Sequence, residues 1–320
     1  MISYLITKKD ANQRVDKFVK KQLNDAPLSF IYKIFRKKDV KVNSHWVKID
    51  YILKENDELK IYVSDEQLKE FSSPKDIYNL KFNHEIIYED ENILIINKPR
   101  HLLVHGDNKE KKYTLANEVI SYLYNKGEYN GENGYVPSPT HRLDRNTSGV
   151  IIFAKNLISQ QELEELFKDK KEIEKHYYAL SYGKAKESDT ISLPLLKDPN
   201  TNLVKVDKKG KEAITIYNLV DYKDNYSLLD INLITGRTHQ IRVHLSNKNL
   251  PIVGDNKYGN FEINKKFLKE YNFTDQFLHA YKISFKDIKG HLSYLSNKTF
   301  IAKINKEEKD LLTILGLKIK

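Results

Sequence analysis

The 320-residue sequence predicts an α+β fold: a large domain built on a mostly antiparallel sheet, behind a small N-terminal α/β domain. Three observations predict it. Predicted strands outnumber predicted helices. Several strands follow one another with no helix between them, as a parallel sheet does not allow. The opening segment, finally, has a helix–helix–hairpin order of its own. An apolar share of 40% and a charged share of 31% suit a chain that buries a core and exclude a disordered one.

Residues 1–65 are expected to form the small domain. Met1 to Lys9 reads as an opening strand, too short and too soon charged for a secretory signal. Arg14-Val15-Asp16-Lys17-Phe18-Val19 opens a helix with Val15, Phe18 and Val19 on one face. A turn at Asn24-Asp25-Ala26-Pro27 ends it. Ser29 is the expected N-cap of a second helix, which carries Phe30, Ile31, Ile34 and Phe35 into Arg36-Lys37-Lys38. Val40 to Asn43, a turn at Asn43-Ser44, and Val47 to Ile49 follow, and Asp57 to Val63 alternates as a strand should. Residues 66–83 mix charges with Ser72-Ser73-Pro74 and hold no period, so a linker is expected there.

Residues 84–320 are expected to form the larger domain. Strands are expected over Ile86–Tyr88, Ile93–Ile96, Gly149–Ala154, Tyr177–Tyr182, Ala213–Asn218, Ser227–Leu233 and Ala280–Phe285. Helices are expected over Leu115–Tyr124, over Ser159–Asp169 (grouping Leu163, Leu166 and Phe167), and over Thr238–Asn247 with Thr238 as cap. Tyr129 to Pro139, with Gly131, Gly134, Pro137 and Pro139, reads as a loop.

No apolar run approaches the length needed to cross a bilayer, and no cysteine is present. Disulfides and thiolate metal sites are excluded, and a cytoplasmic protein is expected. A monomer is expected too, since no long apolar stripe stands out. The formal net charge of +10 favours a polyanionic partner.

Of 54 basic residues only seven are arginine: Arg14, Arg36, Arg100, Arg142, Arg145, Arg237 and Arg242. Where arginine survives such a lysine bias, the planar fork that grips a carboxylate, phosphate or base edge is the physical reason. Four of the seven fall in two short segments, His141-Arg142-Leu143-Asp144-Arg145-Asn146-Thr147-Ser148-Gly149 and Gly236-Arg237-Thr238-His239-Gln240-Ile241-Arg242. In the first, Asp144 precedes a turn that enters an apolar strand, a rigid place for a reactive carboxylate. It is a candidate nucleophile or general base, or a cap bonding the amides of Thr147 and Ser148. A metal role is poorly supported: no second carboxylate stands at a motif-like spacing, and His239 and His244 do not share a helix face.

The Asp144 segment resembles the catalytic loop of the RluA-type pseudouridine synthases, and further blocks agree in order. Ile95-Ile96-Asn97-Lys98-Pro99 with Val104-His105-Gly106 resembles the family's first block. Lys175-His176-Tyr177-Tyr178-Ala179-Leu180 resembles its tyrosine-bearing strand, and Gly236 to His244 its arginine-bearing motif. Pro251 to Asp255, Tyr258-Gly259 and Leu278-His279-Ala280 resemble its C-terminal blocks. Residues 1–65 resemble the alpha-L RNA-binding domain, through Arg14-Val15-Asp16-Lys17, Ser29, Ile34-Phe35-Arg36-Lys37 and Val40-Lys41-Val42-Asn43. That extra domain and the Val104-His105-Gly106 wording look most like the RluC branch. One departure is visible: Arg100-His101 stands where the family has a small residue and then glycine, so the backbone there is either open to side chains or strained.

The resemblance implies isomerisation of specific uridines to pseudouridine in RNA, foremost large-subunit ribosomal RNA, with no cofactor and no metal. It implies Asp144 as the reacting carboxylate, Arg242 as its partner and Tyr177 beside the base. Leu143 and Ile241 would wall the pocket and Arg142 would touch RNA. Arg36, Lys37, Lys38 and Lys41 would contact RNA from the N-terminal domain. His141 and His239 are expected as hydrogen-bonded framework. Transfer RNA is the alternative substrate, a non-catalytic RNA-binding assembly factor the alternative class, and a hydrolase using Asp144 with His141 or His239 a weaker third.

Overall fold

The computed structural model describes every residue except 9, 72–78, 108, 132–134, 170, 200 and 320. Ser72, Ser73, Pro74 and Gly134 therefore lie outside the described residues. The chain divides into two compact units. One comprises Met1–Phe82, Ala116–Ser138 and Ala154–Gln161; the other comprises Asn83–Leu115, Pro139–Phe153 and Glu162–Lys320.

The first unit opens with β1 (Ile2–Leu5), α1 (Val15–Gln22), α2 (Leu28–Arg36), β2 (Val40–Val42), β3 (His45–Trp46), β4 (Glu58–Ile61) and α3 (Asp65–Phe71). The strands form an antiparallel sheet in the order β1-β4-β2-β3. Val15, Phe18 and Val19 of α1 and Ile31 and Ile34 of α2 are buried against Val40, Leu59 and Ile61. Asn43 and Ser44 both take positive φ (49° and 68°), which matches the right-handed twist of the two strands they join.

Two local expectations fail here. Ser29 does not cap α2. The helix starts directly after Pro27, whose extended backbone fills the cap position, and no side chain bonds there. Proline's fixed φ sets that entry without a hydroxyl. The expected linker also begins with a helix, α3. Ser64 and Gln67 bond each other's backbone amides, both at 3.1 Å, as a capping box. Leu68 and Phe71 then pack on the core, Phe71 with its ring centroid 4.6 Å from that of Phe30.

The remaining elements follow in order. They are β5 (Glu85–Glu89), β6 (Ile93–Lys98), α4 (Leu115–Asn125), β7 (Ser138–Pro139), β8 (Ser148–Ala154), α5 (Leu157–Asp169), β9 (Ile173–Tyr182) and β10 (Ser188–Ser192). Then come β11 (Leu195–Lys197), β12 (Val204–Val206), β13 (Ile214–Lys223), β14 (Tyr226–Leu233), α6 (Gln240–Asn247), α7 (Phe261–Tyr271), β15 (Leu278–Phe285), β16 (Thr299–Ile301) and α8 (Lys306–Leu315). The second unit is built on a mixed, mainly antiparallel sheet in the order β10-β13-β14-β9-β15-β8-β6-β5, with β16 on β15 and β7 on β8. β15 and β8 run parallel; β15–β9, β9–β14, β14–β13 and β13–β10 are antiparallel. This is the predicted α+β class.

Strand β8 is buried along its length, as its reading Ser-Gly-Val-Ile-Ile-Phe-Ala demands. Gly149 is required within it. Its φ is +114°, and a Cβ there would sit 2.2 Å from the carbonyl oxygen of Ala280 on β15. A smaller hairpin, β11–β12, stands apart from the large sheet and packs Leu195 and Val204 against Val243 of α6 and Tyr258.

Candidate active site

Asp144 sits in the tight turn before β8. The turn closes through the backbone, with Thr147 N–H donating to the Asp144 carbonyl at 3.1 Å, so the carboxylate is not used as a cap. Neighbours hold the loop from three sides. Asn146 Nδ2 donates to Asp275 (2.9 Å), Gln276 Nε2 donates to the Thr147 hydroxyl (2.7 Å), and Lys98 Nζ donates to the Arg145 carbonyl (3.1 Å). The side chain of Asp144 remains 28% exposed, open to a substrate.

Arg242 approaches from α6. That helix starts at Gln240, not Thr238. His239 takes a left-handed conformation (φ 53°) at the cap position, where no side chain bonds. The start is instead pinned by buried Gln240. Its carbonyl oxygen accepts from Thr235 Oγ1 (2.7 Å) and Arg237 N–H (3.0 Å), and its amide donates to the Ile214 carbonyl (2.9 Å) and Thr215 Oγ1 (3.0 Å). One turn on, His244 is held by Thr215 Oγ1 and the Leu193 carbonyl, both at 2.9 Å. These anchors aim Arg242 at the loop.

The guanidinium of Arg242 is 7% exposed and divides its donors. Nη1 bonds Asp144 Oδ2 at 2.8 Å, while Nε and Nη2 bond the two oxygens of Asp255, each at 2.7 Å. Burial opposes the Arg242 charge, but Asp255 and then Asp144 outweigh it, so its pKa lies above the ordinary value. Burial likewise opposes the charge of Asp255, yet Arg242 and the Lys257 and Tyr258 amides hold that carboxyl below the ordinary range. Bidentate geometry is why lysine could not stand at position 242.

Tyr177, on β9, is 5% exposed. Burial, reinforced by the negative charge of Asp144, pushes its phenol well above the usual value. Leu143 and Ile241 are buried at 8% and 4% exposure, and Arg142 is exposed. His141 accepts from the Ile152 amide (3.3 Å), and His239 Nδ1 meets the Tyr258 hydroxyl (2.8 Å). Among the described residues no group of three or more His, Asp or Glu converges as a metal site would require.

Lys98, quoted in the first block but given no role, belongs to this site. It is fully buried. Its Nζ donates to the carbonyls of Pro99 (2.8 Å), Leu102 (2.8 Å) and Arg145 (3.1 Å). Burial drives its pKa down to about 7, against the pull of Asp144. Nothing in a lone Lys-Pro pair signals this, because burial is a tertiary property. The departure at Arg100-His101 is also resolved. His101 takes φ 65° with its ring Nε2 2.9 Å from the Asp275 carboxylate, and Arg100 pairs with Glu307. The strained alternative is the one adopted, in a conformation that histidine tolerates better than most residues.

Arg36, Lys37, Lys38 and Lys41 lie in the first unit. The first three are exposed and Lys41 is half-buried. Lys38 Nζ sits 4.9 Å from the ring centroid of exposed Trp46, and Lys41 Nζ 5.0 Å from that of Tyr62. An open groove of about 430 Å³ is lined by Phe35, Arg36, Lys38, Trp46 and Lys48 among others. Trp46, the sole tryptophan, escaped the sequence reading because neither periodicity nor charge marks it.

A carboxylate held by an anchored guanidinium, with a buried phenol alongside, suits nucleophilic or base chemistry on an uncharged ring. Comparison with known proteins narrows this. Residues 92–247 match the RNA pseudouridylate synthase family. An RNA pseudouridine synthase of Mycoplasma capricolum subsp. capricolum is 38% identical over 313 residues, covering 94% of this chain and 97% of the other. The ribosomal large subunit pseudouridine synthases C of Buchnera aphidicola subsp. Baizongia pistaciae and Vibrio parahaemolyticus are 37% and 35% identical. They cover 88% and 86% of this chain, and 88% and 85% of their own. Among solved structures, human RNA pseudouridylate synthase domain containing 4 shares the fold, with a TM-score of 0.60 at 22% identity over 73% of this chain and 93% of that one. Also among the described residues, no helix is long and apolar enough to cross a membrane. The chain belongs to the RluA family of RNA pseudouridine synthases, enzymes that isomerise uridine in RNA to pseudouridine.

Proposed function

We propose that this enzyme modifies uridines of large-subunit ribosomal RNA in the cytoplasm, and that Asp144 performs the chemistry. The substrate rests on the relatives named for the ribosomal large subunit, which match most of the chain. The chemistry rests on one observation: Asp144 is a partly open carboxylate whose partner, Arg242, is itself anchored by Asp255.

The reaction conserves every atom. The N1–C1′ bond breaks, C5 bonds to C1′, C5 loses its proton and N1 gains one. No oxidant, reductant or energy source is needed. Whether Asp144 attacks C1′, attacks the base or removes the 2′ proton, each route uses its carboxylate, the group that Arg242 bonds. A uridine in folded RNA must leave its stack to reach the turn. In this reading Arg142, which is exposed, contacts the RNA, and the buried Leu143 and Ile241 form apolar walls. Tyr177 stays a neutral phenol. That supports a stacking face for uracil more than a proton acceptor.

Residues 1–65 act in this reading as the RNA-binding domain and residues 84–320 as the catalytic domain. Arg36, Lys37, Lys38 and Lys41 bind phosphates, which positions the enzyme without reading sequence. Mapping pseudouridines in ribosomal and transfer RNA with and without the gene tests the proposal. Loss of one or more large-subunit sites is expected. Loss confined to transfer RNA, or an unchanged map, would overturn the substrate.

A further inference from the structure

Behind Asp144 runs a chain of contacts that the chemistry above does not use. The Val204 amide in β12 donates to the Tyr258 hydroxyl at 2.9 Å. That hydroxyl meets His239 Nδ1 at 2.8 Å, and His239 Nε2 faces Asp144 Oδ2 at 4.0 Å. The Tyr258 ring also lies against the Arg242 guanidinium, 5.2 Å from centroid to Cζ. Burial lowers the pKa of His239, against the pull of Asp144, and raises that of Tyr258, so imidazole and phenol are both neutral near pH 7.

His239 Nε2 faces the Asp144 carboxylate, where an N–H is attracted and a bare lone pair is repelled, so the imidazole carries its hydrogen on Nε2. The lone pair is then on Nδ1, which accepts the Tyr258 hydrogen, while the Tyr258 oxygen accepts from the Val204 amide. At 4.0 Å the Nε2–H is a dipole aimed at the carboxylate, longer than a hydrogen bond, and a movement of about 1 Å would close it. His239 holds a left-handed backbone (φ 53°) in this position, a conformation that needs the surroundings to impose it. The chain starts in the β11–β12 hairpin, whose exposed faces carry Lys197, Lys205, Lys208 and Lys209 on or beside its strands.

We propose that Tyr258 and His239 are positioning residues: Tyr258 fixes the Nε2–H form of His239, which orients the Asp144 carboxylate, and so links the seating of the β11–β12 hairpin to the reacting group. This rests on Asp144 being the reacting carboxylate.

The test uses the full-length enzyme, a saturating ribosomal RNA fragment and single-turnover rates. Tyr258→Phe keeps the ring over Arg242 and removes the hydroxyl; it should slow the step on the order of 10-fold, as loss of one hydrogen bond in a polar site does. RNA affinity should not change. In a His239→Gln background, Tyr258→Phe should have no further effect. Nitrogen-15 shifts of the His239 ring should show the hydrogen on Nε2 in the native enzyme and a tautomer mixture in Tyr258→Phe. A native Nδ1–H form, independent multiplicative losses, or a loss confined to RNA affinity would each overturn the proposal. If Asp144→Asn stays active, the underlying reading fails; if Asp144→Asn is dead while Tyr258→Phe is normal, this inference alone fails.

Discussion

Arg242 reaches Asp144 across 98 residues of chain, Nη1 to Oδ2 at 2.8 Å, and does so with its other two donors already committed to Asp255. The fork is anchored on one side and meets the more exposed carboxylate on the other. One guanidinium thus serves two carboxylates of unequal exposure: Asp255 at 1% and Asp144 at 28%.

Removing the charge from Asp144 should remove the chemistry alone. Asp144→Asn keeps the size of the group and its backbone turn. We expect single-turnover pseudouridine formation to fall to background while RNA binding and thermal stability stay near the native values. Measurable turnover in this variant would exclude Asp144 as the reacting group.

Arg242 is expected to split into two effects. Arg242→Lys loses the bidentate grip, and its rate should drop about 10²–10³-fold, typical of removing an oriented charge donor from a closed site. Arg242→Met additionally strands Asp255, and should destabilise the fold by about 3–5 kcal/mol, the usual cost of a buried charge without its partner. Denaturant unfolding of Arg242→Met with Asp255→Asn should recover much of that loss. No recovery would mean that Asp255 is not the origin.

Lys98 gives a pH signature. Its folded pKa is pushed down to about 7 from an ordinary 10.5. Between those values the unfolded chain holds a proton that the folded one has released, so unfolding free energy rises with pH across that window. Below about pH 7 both states are protonated, and the burial penalty is present in full. Relative to Lys98→Met, the native protein should gain up to about 1.4 kcal/mol per pH unit between pH 7 and 9 in denaturant titrations. A flat difference would show that the three carbonyls around Nζ keep the ammonium charged.

Gly149 should tolerate no side chain. A Cβ would meet the Ala280 carbonyl at 2.2 Å in backbone of φ +114°. Gly149→Ala must therefore part β8 from β15, and should cost more than about 3 kcal/mol by the strain and close-approach mechanisms that give the largest single-residue effects. Calorimetry on the variant checks this.

In the first unit, Lys38→Glu should weaken RNA binding without slowing the chemical step at saturation. The slope of log affinity against log salt should fall by about one for each phosphate that the variant no longer neutralises. An unchanged slope would place the RNA elsewhere.

Much of this architecture was legible. The long apolar strands announced themselves because β8 and β6 are buried on both faces, and the scarce arginines marked the partner of Asp144. What stayed hidden was set by tertiary surroundings. Thr238 and Ser29 look like caps, but Gln240 and Pro27 make those helix starts. Two helices did leave a local signal that went unread: Asn260 caps α7, and Asn305 with Glu308 forms a capping box on α8. The role of Lys98 left none, since it depends on three carbonyls that only the folded loop assembles.

The strand bearing Tyr177 and the strand following Asp144 never pair with each other; β15, from residues 278–285, lies between them. The two halves of the centre are therefore stitched together by a segment translated after all three of its principal groups. A nascent chain stopped short of that strand would hold Asp144, Tyr177 and Arg242 but not the strand that joins β8 to β9. The sheet connection between the loop and the tyrosine strand is completed only when residues 278–285 have been made, by a strand that carries none of those three side chains.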